Sequence, residues 1–157
     1  MATKKQSAGI VLFRMHKKQL EFFLVHPGGP FFAKKDVGAW SIPKGEFTEE
    51  ENPLAAAKRE FFEETGQKAE GNFLPLTPIK QKGGKIVSAW AVEGNIDAET
   101  IQSNTFLIEW PPGSGKQKEF PEVDKAGWFS FSDAKEKINQ SQAALLDELI
   151  ILIDQKS

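Results

Sequence analysis

The stretch GEFTEEENPLAAAKREFFEETG, residues 45–66, sets Glu46, Glu49, Glu50, Glu51, Glu60, Glu63 and Glu64 against only Lys58 and Arg59. Seven acids less two bases leave five negative charges, which repel one another unless water, salt or a cation screens them. Glu60, Glu63 and Glu64 are the sharpest case: at about 100° per residue they fall within roughly a quarter-turn of a helix. Glutamate favours helices, and solvated acidic faces are common. Like charges at i and i+4, here Glu60 and Glu64, nevertheless weaken a helix by about 0.2–0.5 kcal/mol. No lysine lies four residues beyond Glu60 or Glu63 to compensate. A cluster that costs stability points to function. Carboxylates without thiolate or imidazole partners favour hard cations, Mg²⁺ or Mn²⁺ over Zn²⁺. Mg²⁺ commonly binds through a few carboxylates plus waters and substrate phosphates, so the expected chemistry is phosphoryl transfer.

The elements that must position these acids are legible in outline. Residues 52–65 predict a helix, with Asn52 as N-cap, Pro53 at the first helical position and Gly66 as left-handed stop. Leu54, Ala57 and Phe61 share its apolar face. AGIVLF (8–13) and LEFFLV (20–25), joined by HKKQ, predict a strand pair. HPGGP ends the second run, and FFAKKDVGAWSIPK predicts a loop returning as a short extended segment before Pro43. Gly83-Gly84 predicts a hairpin turn into KIVSAWAVE. FLIEW (106–110) and KAGWFSF predict further strands, with 111–122 as a loop between them. Ser132 is expected to cap a short helix DAKEKI, and Ser141 the longer QAALLDELIILIDQ. Strands outnumber helices without regular alternation, which favours an α/β sandwich with a mixed sheet over a doubly wound parallel one.

With these residues in place, the stretch resembles the Nudix box, G-x5-E-x7-R-E-U-x-E-E-x-G-U, where U is bulky and apolar. Gly45, Glu51, Arg59, Glu60, Phe61, Glu63, Glu64 and Gly66 occupy their places, and only the final U fails, at Gln67. GIVLFR, LEFFLV, AWSIPKGE and AGWFSFSDA extend the likeness, toward the MutT-type and diadenosine-tetraphosphatase branches, across most of the chain. The resemblance implies a Nudix-type α/β/α sandwich, one hydrolase domain over 1–157, cleaving a nucleoside diphosphate linked to another moiety with Mg²⁺ or Mn²⁺. It implies metal ligation by Glu60, Glu63, Glu64 and the Gly45 carbonyl. Arg59 would orient a glutamate through a bidentate pair, and Glu51 would be structural or a helper. A glutamate six residues before the last tryptophan would be a further ligand or base. Glu122 stands six before Trp128, with Glu119 as competitor.

Around the box, Lys44 is a candidate phosphate contact. Lys34, Phe32 and Trp40 are candidates for phosphate binding and base stacking, whereas His26 reads as structural. A dinucleoside polyphosphate or nucleoside triphosphate leads as substrate. The diadenosine-tetraphosphatase branch carries a stacking tyrosine downstream of the box, and this chain has no tyrosine; Ala89 stands near its place. ADP-ribose, nucleotide sugars and capped RNA stay open, as does a nucleotide-sensing module that keeps the fold without turnover.

The whole chain sets further limits. At 157 residues it is the size of one domain, with 39% hydrophobic and 27% charged residues, within the globular range. A formal charge of −2 gives no bulk positive field for nucleic acid or anionic lipid, so a capped RNA 5′ end is the only nucleic-acid partner entertained. Without cysteine there is no disulfide or thiolate nucleophile. MATKKQSAG precedes an apolar run too short for a signal peptide or span, so a cytoplasmic location without membrane partner is expected. GSGK (113–116) is not a P-loop: the first glycine of that motif would fall on Trp110 and its hydroxyl residue on Gln117. Oligomeric state, nucleobase and the phosphorus attacked are not encoded in any of these patterns.

Overall fold

A computed structural model of the chain describes residues 5–156. Residues 1–4, part of the MATKKQSAG stretch on which the expectation about targeting rests, lie outside the described residues. Strand β1 (Gln6–His16) sends Ala8, Ile10 and Leu12 to one side and Val11 and Phe13 to the other, all buried. Burial on both faces explains why this strand is a continuous apolar run instead of an alternating one.

Two strands share one edge of β1. Antiparallel β2 (Gln19–Pro27) pairs with Phe13–His16, and the short β3 (Lys44–Glu46) pairs with Ser7–Gly9. The tight turn between β1 and β2 places both Lys17 and Lys18 at positive φ, 52° and 68°. Short β4 (Leu74–Pro75) and β5 (Ile79–Lys80) pair antiparallel with β6 (Ile86–Glu93), and β6 runs parallel to β1 on the opposite edge. A separate hairpin, β7 (Thr105–Glu109) and β8 (Gln117–Pro121), precedes β9 (Val123–Ser130), which pairs antiparallel with β2. The main sheet has seven strands and is mixed, as the sequence predicts.

Helix α1 (Pro53–Thr65) covers one face, where Ala56, Ala57 and Phe61 pack on Ala8, Ile10, Phe23 and Val25. α2 (Phe131–Lys137) and α3 (Ala143–Lys156) cover the other, with Ala134, Leu145, Leu146 and Leu149 against Val11, Phe22 and Leu24. Among the described residues no helix is long and apolar enough to cross a membrane.

Several local expectations are corrected. Residues 117–121 of the expected loop are strand β8, because a polar segment paired along one edge needs no apolar alternation. α2 is capped by Ser130, whose hydroxyl accepts from the Asp133 N–H, and not by Ser132. Ser141 lies inside a 3₁₀ turn, Gln140–Gln142, that leads into α3 and is itself capped by Asn139. GSGK occupies the connection between β7 and β8, away from any strand-to-helix phosphate loop.

Candidate active site

The box folds as a strand and a capped helix facing each other. Asn52 Oδ1 accepts from the Ala55 N–H at 3.1 Å, Pro53 begins the helix, and Gly66 ends it at φ 74° while its N–H donates to the Phe62 carbonyl. The out-of-pattern Gln67 does not pack as an apolar residue would; its Nε2 donates to the Asp97 carbonyl. The backbone of β3 meets the acid face of α1 so closely that a Cβ on Gly45 would fall 2.1 Å from the Glu60 carboxyl. No side chain other than hydrogen fits there.

Arg59 organises the acids. Its Nε and Nη2 donate to the two Glu51 oxygens, each at 2.9 Å, in the bidentate form that guanidinium geometry favours. Its Nη1 reaches Glu60 Oε1 at 2.9 Å and Glu63 Oε2 at 3.1 Å. The Arg59 hydrogen bond holds Glu51 below the usual carboxylate range. Burial and then Glu63 push Glu60 up despite Arg59. Glu64 is pushed up to about 8, first by burial and then by the charge of Glu60; the nearby Lys44 ammonium and a backbone N–H of Lys44 oppose the rise only partly. Burial, followed by the neighbouring charge of Lys85, draws Lys44 down. Carboxylates raised by burial and by one another are short of positive charge.

Glu122 joins them from the segment between β8 and β9. Its N–H donates to the Asn104 carbonyl at 2.8 Å, while the Asn104 N–H donates to the Glu63 carbonyl at 2.8 Å, so one residue ties this segment to α1. Burial and then Glu63 raise the Glu122 carboxyl. Glu122, Glu64 and Lys44 line a cavity of about 280 Å³, completed in part by Phe32, Gln81 and Asn139. Glu119 lies on β8 opposite Leu107 and takes no part in this lining. Three larger concavities, about 610, 540 and 410 Å³, are lined by none of Glu60, Glu63 and Glu64; they lie around Phe47 to Glu50, around Arg14 and Trp128, and around Met15 and Leu152.

The remaining candidates separate. Phe32 is 38% exposed and lines the cavity, with Lys35 Nζ 5.2 Å from its ring centre. Lys34 is exposed beside it but outside the lining. Trp40 is corrected to a core residue: it is 6% exposed, its Nε1 donates to Asp36, and its ring packs against His26 and Phe129. A tryptophan buried this way offers no face to a base. His26 is fully buried, held by Asp124 and the Lys35 carbonyl. Ala89 is buried in β6. Gln81, Ser41, Asn139 and Gln142, which also line the cavity, escaped the sequence because they come from separate segments with no shared spacing.

The donor set suits a hard divalent cation: Glu60, Glu63, Glu64 and the Gly45 carbonyl offer only oxygen. Among the described residues no three acidic or imidazole side chains are already gathered as a cage. Mutual repulsion would hold them apart without a cation, and Mg²⁺ takes only part of its coordination from protein.

A NUDIX domain model matches residues 3–149. No curated protein matches in a search by sequence. Among solved structures, a Caenorhabditis elegans Ap4A hydrolase binary complex is similar at a TM-score of 0.67 and 22% identity, over 96% of this chain and 98% of that one. The NUDIX domain of Shewanella oneidensis NrtR complexed with ADP ribose gives 0.69 and 16%, over 98% and 90%. A mutT/nudix family protein from Listeria innocua gives 0.65 and 17%, over 99% and 98%. The domain match, spanning the box whose strand and helix carry the clustered carboxylates, means that the chain belongs to the NUDIX family and is a Nudix pyrophosphohydrolase.

Proposed function

We propose that the protein hydrolyses a pyrophosphate bond in a nucleoside diphosphate linked to another moiety, with Mg²⁺ or Mn²⁺, and that dinucleoside polyphosphates and nucleoside triphosphates lead as substrates. The single observation that carries this reading is that Arg59 binds Glu51, and binds Glu60 and Glu63 on the same helix whose Glu64 lines one cavity with Glu122 and Lys44. Glu60, Glu63, Glu64 and the Gly45 carbonyl would hold the cation. When bound, it would neutralise phosphate charge and acidify a water.

The chain's own residues supply the rest. Arg59 fixes Glu60 and Glu63 in orientation while Glu51 fixes Arg59. Lys44, drawn down by burial, pairs with a phosphate oxygen as a point charge. Glu122, raised by burial and by Glu63, accepts the proton of the attacking water. Phe32, partly exposed at the cavity, would offer its ring to a base. A cytoplasmic site of action fits such nucleotides.

Incubation with Mg²⁺ and diadenosine polyphosphates, nucleoside triphosphates, ADP-ribose, a nucleotide sugar and capped RNA, with products identified by mass, tests the reading. One class is expected to be cleaved, with turnover in Glu63→Gln or Glu64→Gln lower by about three orders of magnitude, the scale of several kcal/mol of lost charge stabilisation. Near-normal turnover in those variants would defeat the assignment. Mg²⁺-dependent nucleotide binding without cleavage of any compound would make the site a sensor.

A further inference from the structure

Three polar side chains on the cavity side opposite in sequence to the box form a relay whose directions can be deduced. The Ser141 backbone N–H, a donor only, contacts Asn139 Oδ1 at 3.0 Å, which fixes that atom as oxygen. The Ser141 hydroxyl contacts the same oxygen at 2.7 Å and must donate to it. Having spent its proton there, the hydroxyl accepts from Gln81 Nε2 at 2.8 Å. Ser141 thus consumes the Asn139 carbonyl and one Gln81 N–H. Among the described residues no hydrogen bond engages the Asn139 amino group or the Gln81 carbonyl oxygen. Both residues line the cavity that Glu64, Glu122 and Lys44 also line.

We infer that the Asn139 amino group and the Gln81 carbonyl oxygen read the hydrogen-bonding edge of a nucleobase, a specificity that rests on the site taking a nucleotide. The two amides meet at the one Ser141 hydroxyl, which leaves a donor on Asn139 and an acceptor on Gln81, and a base edge carries the complement of both. This pair suits a phosphate poorly, because phosphate oxygens only accept and the Gln81 carbonyl would face them unpaired. Val25, Pro27, Ile42 and Val123 give this lining an apolar portion beside the polar Ser41 and Gln142, and the partly exposed Phe32 supplies a ring for the flat face of a base. At about 280 Å³ the cavity is of a size to take one base. The fully buried Gln142 stiffens this wall: its Oε1 accepts from the Ile42 N–H at 3.0 Å, and its Nε2 donates to Ser41.

The experiment uses the full chain and two variants. Asn139→Asp replaces the donor by an acceptor yet keeps the oxygen that receives both Ser141 protons, so the cap before α3 survives. Gln81→Met removes the acceptor at similar length. Affinities for AMP, GMP, CMP and UMP are measured by calorimetry without metal, and kcat/KM for the matching triphosphates with Mg²⁺. The wild type is expected to prefer one base at least tenfold, and each variant to change the ratio between bases at least tenfold. A uniform change across all four bases, or none, overturns the inference, as does a wild type that binds the four within threefold. Base-selective binding that the variants shift, with no hydrolysis, keeps the inference and defeats the proposed function. Base-blind hydrolysis does the reverse.

Discussion

The acidic turn of α1 and the amide relay, which meet at one cavity through Glu64, Gln81 and Asn139, are built by opposite rules. Glu60, Glu63 and Glu64 come from a single turn of α1, with β3 and Arg59 close in sequence, and their charges oppose one another. Gln81, Asn139 and Ser141 come from distant segments and satisfy one another through a directed chain of hydrogen bonds. The first arrangement stores unfavourable electrostatics that a bound cation would relieve; the second is satisfied without one. Chemistry shared by a family can therefore ride on one contiguous motif, while selectivity is assembled from wherever the fold brings side chains together.

Gly45→Ala strikes the acidic part alone. Its Cβ would overlap the Glu60 carboxyl at 2.1 Å, and displacing that group by an ångström is expected to lower kcat about 100-fold. Base preference, measured as the ratio of kcat/KM between nucleotides, should stay within about twofold if the two parts act separately. Arg59→Lys is a smaller perturbation: charge remains, but one ammonium cannot hold Glu51 in a bidentate pair and also reach Glu60 and Glu63. A fall of about tenfold in kcat, again with base preference intact, is the expected steady-state result. A shift of base preference in either variant would show the two parts to be coupled.

These differences also govern what the sequence could disclose. The box helix was legible to the residue because Asn52, Pro53 and Gly66 act on their own neighbours. β1 and β2 were legible as apolar runs, though they extend beyond them to His16 and Pro27, because polar residues pair as readily once a turn fixes register. β8 was hidden, since QKEFP is held by partners on β7 and carries no pattern of its own. Trp40 misled because an aromatic beside lysines looks the same whether it faces a ligand or, as here, the core. The glutamate of the β8–β9 segment could be narrowed to Glu119 or Glu122 by spacing, but only the bridge through Asn104 brings Glu122 beside α1.

Thermal unfolding of the wild type and Glu64→Gln, each with and without Mg²⁺, tests the central claim most directly. Glu64 titrates near 8 in the folded state against an ordinary 4.5, so the folded state holds the proton more tightly. Its favourable contribution is therefore present below about 4.5 and is lost as pH rises through about 8. Glutamine carries no charge to lose, and metal-free Glu64→Gln is expected to be the more stable protein by about 1–3 kcal/mol at pH 8, with the gap closing toward pH 4.5. Mg²⁺ should raise the wild-type midpoint by several degrees at pH 8 and leave the variant nearly unmoved. A metal-free variant no more stable than wild type, with equal Mg²⁺ shifts in both, would contradict the account.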